Sequence, residues 1–151
     1  MMLLALLLVW CGSMPVLASC SSPVFLFGDD DDDYEKLAPW TAVRWRENVV
    51  AEVEVEGHFF ELVAIEGVKG DDVIRYCKET WPHIWQKRFE EDHVWALARM
   101  GKKVGAKVTL DLIDSASNRK VRKADVAMTN ENRQLLWQAA SDRARIEEKG
   151  P

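Results

Sequence analysis

Charge is missing from the first 28 residues: Met1 to Gly28 contains no Asp, Glu, Lys, Arg or His. Within that stretch Leu3 to Trp10 is an unbroken apolar run, followed by Gly12, Ser13 and Pro15. A helix that spans a bilayer needs about 20 apolar residues, whereas the apolar region of an export signal needs roughly 7 to 15. The run is therefore read as a signal peptide covering residues 1–20. Cysteine and histidine are equally sparse, at three each. A metal centre needs several such ligands converging on one point, and His58, His83 and His93 offer no such grouping. On one helix, His83 and His93 would stand about 15 Å apart along the axis. No metal and no cofactor is expected. Basic excess is lacking too. The net charge of −5 is matched by the five consecutive aspartates Asp29 to Asp33, so the rest of the chain balances. Phosphate binding needs a basic face, and no nucleic-acid partner is expected. Lys102, Lys103, Lys107, Arg119, Lys120, Arg122 and Lys123 read as solvated strand edges and turns.

What is present at the end of the apolar stretch is Leu17-Ala18-Ser19-Cys20. This resembles the lipobox of bacterial lipoproteins, in which the cysteine thiol is acylated and becomes the new N-terminus. The resemblance implies lipid attachment at Cys20 and a membrane partner reached through that lipid. The alternative is ordinary small-x-small cleavage set by Val16 and Ala18, leaving Cys20 as a free thiol. Either way the protein is expected to be exported to the cell envelope, lipid-anchored or periplasmic or extracellular. Cys20 also decides the fate of Cys77: acylation leaves Cys77 alone, and a free Cys20 in an oxidising compartment permits a disulfide.

Residues 21–38 mix Ser, Pro, Gly and the aspartate run, a composition that cannot bury apolar surface, and read as an acidic linker. From residue 39 to 151 a single domain is expected. Val43 and Trp45, then Ala51, Val53 and Val55 alternate with Glu52, Glu54 and Glu56, which is the period of a half-buried strand. A turn at Gly57-His58 should return the chain through Phe59 to Ile65. Asp71 or Asp72 can cap a helix over Val73 to Thr80, and Pro82 can open a second helix running to about Met100. Strands are expected over Val104 to Ile113 and Val121 to Met128. A final helix, capped by Thr129 or Asn130, should carry Leu135, Leu136, Ala139 and Ala140. The sum is an α+β domain, with a mainly antiparallel sheet of four to five strands and about three helices.

The strand end Val-Ala-Ile-Glu-Gly-Val at 63 to 68, the following helix, and Gly-Ala-Lys-Val-Thr-Leu-Asp-Leu at 105 to 112 come in an order that resembles the second half of a bacterial PDZ-type domain, with an inserted helix. The resemblance spans Phe59 to Met128. It implies a fold and assigns no binding residue.

Chemistry is harder to place. Cys77 with His83 or His93 is the one thiol pairing that could support nucleophilic catalysis, and Cys77 falls on the apolar side of its helix. The second predicted helix gathers Trp81, Trp85, Arg88, Asp92, Trp95 and Arg99. Arg88 and Asp92, four residues apart, can pair, and guanidinium groups can stack on the indoles. These six residues either form a core helix with an ion pair at its margin or line an aromatic groove in which Arg88 and Arg99 meet a carboxylate. The expectation is a non-catalytic envelope protein that engages an as yet unidentified protein or peptide. The alternatives are a small thiol enzyme built on Cys77 and a His, and a module that binds cell-wall polysaccharide through its tryptophans.

Overall fold

The computed structural model describes residues 34–149; the signal segment, Cys20 and the aspartate run lie outside them. The described residues fall within one compact unit. The strands are β1 (Val43–Arg46), β2 (Val50–Val55), β3 (His58–Ile65), the two-residue β4 (Val68–Lys69), β5 (Lys107–Asp114) and β6 (Lys120–Ala127). The helices are α1 (Gly70–Thr80), α2 (Trp85–Glu91), α3 (His93–Arg99) and α4 (Asn130–Lys149). All strand pairs are antiparallel, in the order β1-β2-β3-β5-β6, with β4 alongside the end of β3. The α+β class and the antiparallel sheet match the sequence pattern. The counts differ, with six strands and four helices among the described residues.

Alternation sets the two faces of the sheet. Ala51, Val53 and Val55 of β2, Phe60 and Leu62 of β3, and Val108, Leu110 and Leu112 of β5 all point into the core. A register shift between Leu62 and Ala64 turns Val63 outward and lets both Ala64 and Ile65 be buried. Ala51 stands opposite Trp45 across β1 and β2, so a small side chain makes room for a large one. On the other face Arg46 meets Glu52 and Glu61, Arg44 meets Glu52, and Arg122 meets Asp111.

The β2–β3 turn lies one residue earlier than its sequence suggests. Glu56 and Gly57 both have positive φ, the backbone required by the tight two-residue hairpin turns that follow strand twist. Glu66 and Gly67 repeat this between β3 and β4, and the hairpin so formed is too short for periodicity to reveal it.

The helix bounds are corrected in two places. α1 begins at Gly70, ahead of both candidate caps, and its N-cap Lys69 makes no side-chain cap bond. Gly70 is needed there because a Cβ would meet the Leu62 carbonyl oxygen at 2.7 Å. Asp71 and Asp72 instead occupy the first turn, where negative charge suits the helix dipole. The long second helix is divided. Pro82 sits in a turn closed by the Ile84 N–H donating to the Trp81 carbonyl, and Asp92 separates α2 from α3. Backbone bonds from Asp92 to Arg88 and from Ala96 to Asp92 carry the helical ladder through the break. For α4, Thr129 Oγ1 accepts the Asn132 N–H at 3.1 Å, so Thr129 provides the cap. The ordered body begins ahead of residue 39: Ala38, fully buried, pairs with Thr129. No described helix is long and apolar enough to cross a membrane.

Candidate functional site

The sequence Arg88-Phe89-Glu90-Glu91-Asp92-His93 brings five polar residues to the junction of α2 and α3, and three of them are buried. Glu90, Glu91 and His93 are each 1 % exposed. Phe89 anchors this stretch by stacking on Trp40 with ring centres 6.0 Å apart and meeting the edge of Trp45 at 5.2 Å. Burying a charge destabilises unless it is paired and hydrogen-bonded, and the neighbouring elements supply the pairs. Glu90 accepts the Trp45 indole N–H at 2.7 Å and pairs with Arg143 of α4. Glu91 Oε2 accepts Lys87 at 3.0 Å and Arg133 of α4 at 3.5 Å. Asp92 takes Arg88 at 3.0 Å and Arg133 at 3.1 Å. α4 is thus fastened to α2 and to the Asp92 junction by Arg133 and Arg143.

Buried side-chain atoms that make no hydrogen bond among the described residues include the Trp40 indole nitrogen, Glu91 Oε1, both imidazole nitrogens of His93 and Arg133 Nε. His93 packs 4.5 Å from Trp40. Burial holds its pKa down at about 4, against the opposing influence of the Glu90 carbonyl and the Asp92 carboxylate. The ring is therefore neutral at physiological pH.

The six residues of the aromatic stretch divide by role. Trp81 and Trp95 stack at 4.3 Å, Arg99 lies 4.3 Å over Trp95, and Arg88 lies 5.2 Å from it. Both Arg88 and Arg99 are engaged. Trp85 meets Trp45 edge-on at 4.8 Å and carries Lys78 over its ring at 4.4 Å. The expected Arg88–Asp92 pair is present. A cleft of about 420 Å³ runs over this region, and its wall includes Arg88, Asp92 and Trp95 together with Lys36, Glu91 and Arg133. A second cleft, of about 440 Å³, continues between α2 and α4 past Trp85 and Arg143, and shares Ile84, Lys87 and Glu91 with the first. Trp81 and Arg99 line neither.

Sequence spacing misses Glu90 and Glu91 as partners of α4, and misses Arg133 and Arg143 altogether. Their ion pairs span 42 and 53 residues, and no local pattern signals them. His58 and His83 are exposed and apart from His93, and no group of three metal-ligating side chains occurs among the described residues. Cys77 is a free thiol, fully buried, and desolvation pushes its pKa up to about 12. It is protonated at neutral pH and so lacks the thiolate that nucleophilic catalysis requires. Cys20 lies outside the described residues.

No protein-family model matches the chain, and neither the curated proteins nor the solved structures provide a match. The reading of the site rests on its own geometry.

Proposed function

We propose that this is a non-catalytic, exported binding domain, tethered to the membrane by lipid at Cys20, whose α2–α4 clefts engage a segment of a protein or peptide. The observation that carries the reading is a pair of neighbouring clefts that share Ile84, Lys87 and Glu91 beside a half-buried ionic cluster, in which Lys87, Arg88 and Arg133 pair with Glu91 and Asp92 and Glu35, Lys36 and Trp95 complete the first wall. The wall of the first cleft is largely charged, with Tyr34, Ile84, Val94 and Trp95 as its less polar part. The lipobox-like Cys20 and the acidic linker behind it supply the address and the tether.

Geometry weighs against the two other readings. A buried, protonated Cys77 gives a thiol enzyme no nucleophile. Sugar rings stack on open indole faces, whereas in the aromatic stretch Trp95 is packed between Trp81 and Arg99 and is only 6 % exposed; the exposed indole is Trp137 of α4, outside that stretch.

Two measurements test the proposal. Intact mass of the mature protein should show an acylated Cys20 as the first residue. A photoreactive side chain at position 36, on the cleft rim, should yield discrete protein adducts in cells that produce the protein. The same probe at position 46, on the charged outer face of the sheet, should not. Absence of adducts at position 36, or equal adducts at both positions, would refute the binding role.

A further inference from the structure

We infer that a cleft between α3 and the segment leading into β5 is a further binding site, which takes an extended peptide segment with an apolar side chain at its centre and a charge of each sign at its ends. The cleft has a volume of about 670 Å³, within the range of ligand sites. It adjoins the first of the two clefts described above, sharing Tyr34, Glu35 and Val94 with it. The inference adds a site and does not rest on the α2–α4 reading. Its apolar wall is made by Tyr34, Val94, Ala98 and Val104, each half-buried. Val94 and Val104 pack against the core, and their remaining surface is left to the cleft.

Gly105, on the wall of this cleft, has no role in the fold that calls for glycine. Gly57, Gly67 and Gly101 have positive φ, and Gly70 has no room for a Cβ. Gly105 lies outside the left-handed region, and a Cβ placed on it meets nothing within 4 Å. Glycine at such a position lowers stability relative to alanine, because the unfolded chain has more freedom to lose. Without a side chain, exposed Gly105 lines the cleft only through its backbone, whose N–H and C=O make no hydrogen bond among the described residues. The missing Cβ leaves that backbone open to close approach by an occupant.

The wall selects among apolar ligands. An acyl chain would strip water from the Gly105 N–H and C=O and give no hydrogen bond in return, which is unfavourable. A peptide brings one donor and one acceptor with each residue. Glu35 and Lys103 are both exposed on this wall, and neither pairs with another side chain among the described residues. One free charge of each sign suits an occupant that carries both and opposes one that carries a single sign.

The test titrates the isotope-labelled full-length protein with acetyl-Lys-Ala-Leu-Ala-Glu-amide and with the peptide of reversed order, acetyl-Glu-Ala-Leu-Ala-Lys-amide. Expected are saturable shifts of the amide signals of Val94, Ala98, Val104 and Gly105, and the tighter of the two peptides defines the direction of the bound chain. Replacing its leucine by serine should weaken binding about tenfold. Giving it two lysines or two glutamates at the ends should weaken binding a few-fold. Gly105→Ala should weaken binding about tenfold without lowering the melting temperature, and Glu35→Ala a few-fold. The inference is overturned if neither peptide shifts these signals, or if Gly105→Ala binds like the native protein. It is also overturned if Gly105→Ala melts several degrees lower, since the glycine then serves the fold, or if decanoate binds there as tightly as the peptide, since the site then takes acyl chains. Absence of adducts at position 36, with these shifts present, refutes the α2–α4 role and leaves this site standing.

Discussion

The two sides of α2 are built on different physics. Toward the sheet, Phe89 joins Trp40, Val53, Ile65, Leu110 and Leu112 in an interior held by apolar burial. Toward α4, buried Glu90 and Glu91 and partly buried Asp92 meet Arg133 and the half-exposed Arg143 across a seam of ion pairs. Apolar burial is non-directional and tolerates repacking. A buried ion pair is costly to desolvate and contributes little net stability, yet losing one partner destabilises strongly. The first side holds the fold, and under the proposed binding role the second is the side that meets a partner.

The largest effect expected is in the apolar interior. Leu110→Ala should lower unfolding free energy by about 3 to 5 kcal/mol through lost transfer energy and a cavity, measured by urea denaturation. Gly70→Ala should be comparably damaging, because its Cβ would press on the Leu62 backbone. In the seam, Arg133→Met should cost about 2 kcal/mol, since it leaves buried Glu91 with Lys87 alone and Asp92 with Arg88 alone.

His93 gives the seam a pH signature. Its pKa is about 4 in the fold against 6.5 for the free side chain. Between those values the unfolded chain binds the extra proton, so stability rises with pH through this window. The effect, on the order of 3 kcal/mol, is complete above pH ~6.5 and fades as pH falls toward 4. His93→Phe should flatten that slope in urea titrations at successive pH values while keeping the packing on Trp40. The smallest effect belongs to the outer face of the sheet. There Arg46→Ala removes half-exposed pairs with Glu52 and Glu61 and should change stability by less than about 1 kcal/mol.

The two sides of α2 also differ in how far the sequence reveals them. Strands β2, β3 and β5 are legible because one face is wet, so Glu52, Glu54 and Glu61 mark the period. β4 has no period to show, and the Glu66-Gly67 turn that creates it reads as mere punctuation. The division of the second helix at Asp92 carries no Gly or Pro, so only the tertiary pull of Arg88 and Arg133 on Asp92 distinguishes it. The Arg88–Asp92 pair is visible at a spacing of four. The pairs from α4 are not, because Arg133 and Arg143 sit among ordinary helix-forming residues and acquire meaning only when α4 packs. Trp81, Trp85 and Trp95 announce an aromatic cluster, and the sequence leaves open whether it is core or groove. In the structure Trp81 and Trp95 stack as core, and the walls of the clefts come largely from charged neighbours.

The central claim is that the seam serves recognition and the apolar interior serves stability. The double substitution Glu91→Met with Arg133→Met separates these by replacing a buried carboxylate and its half-buried partner with apolar chains of similar length. Its melting temperature and its adducts from a photoreactive side chain at position 36 should be measured together. A melting temperature equal to or above that of the native protein, with the adducts lost, is the predicted result. A large fall in melting temperature with the adducts intact would contradict the account.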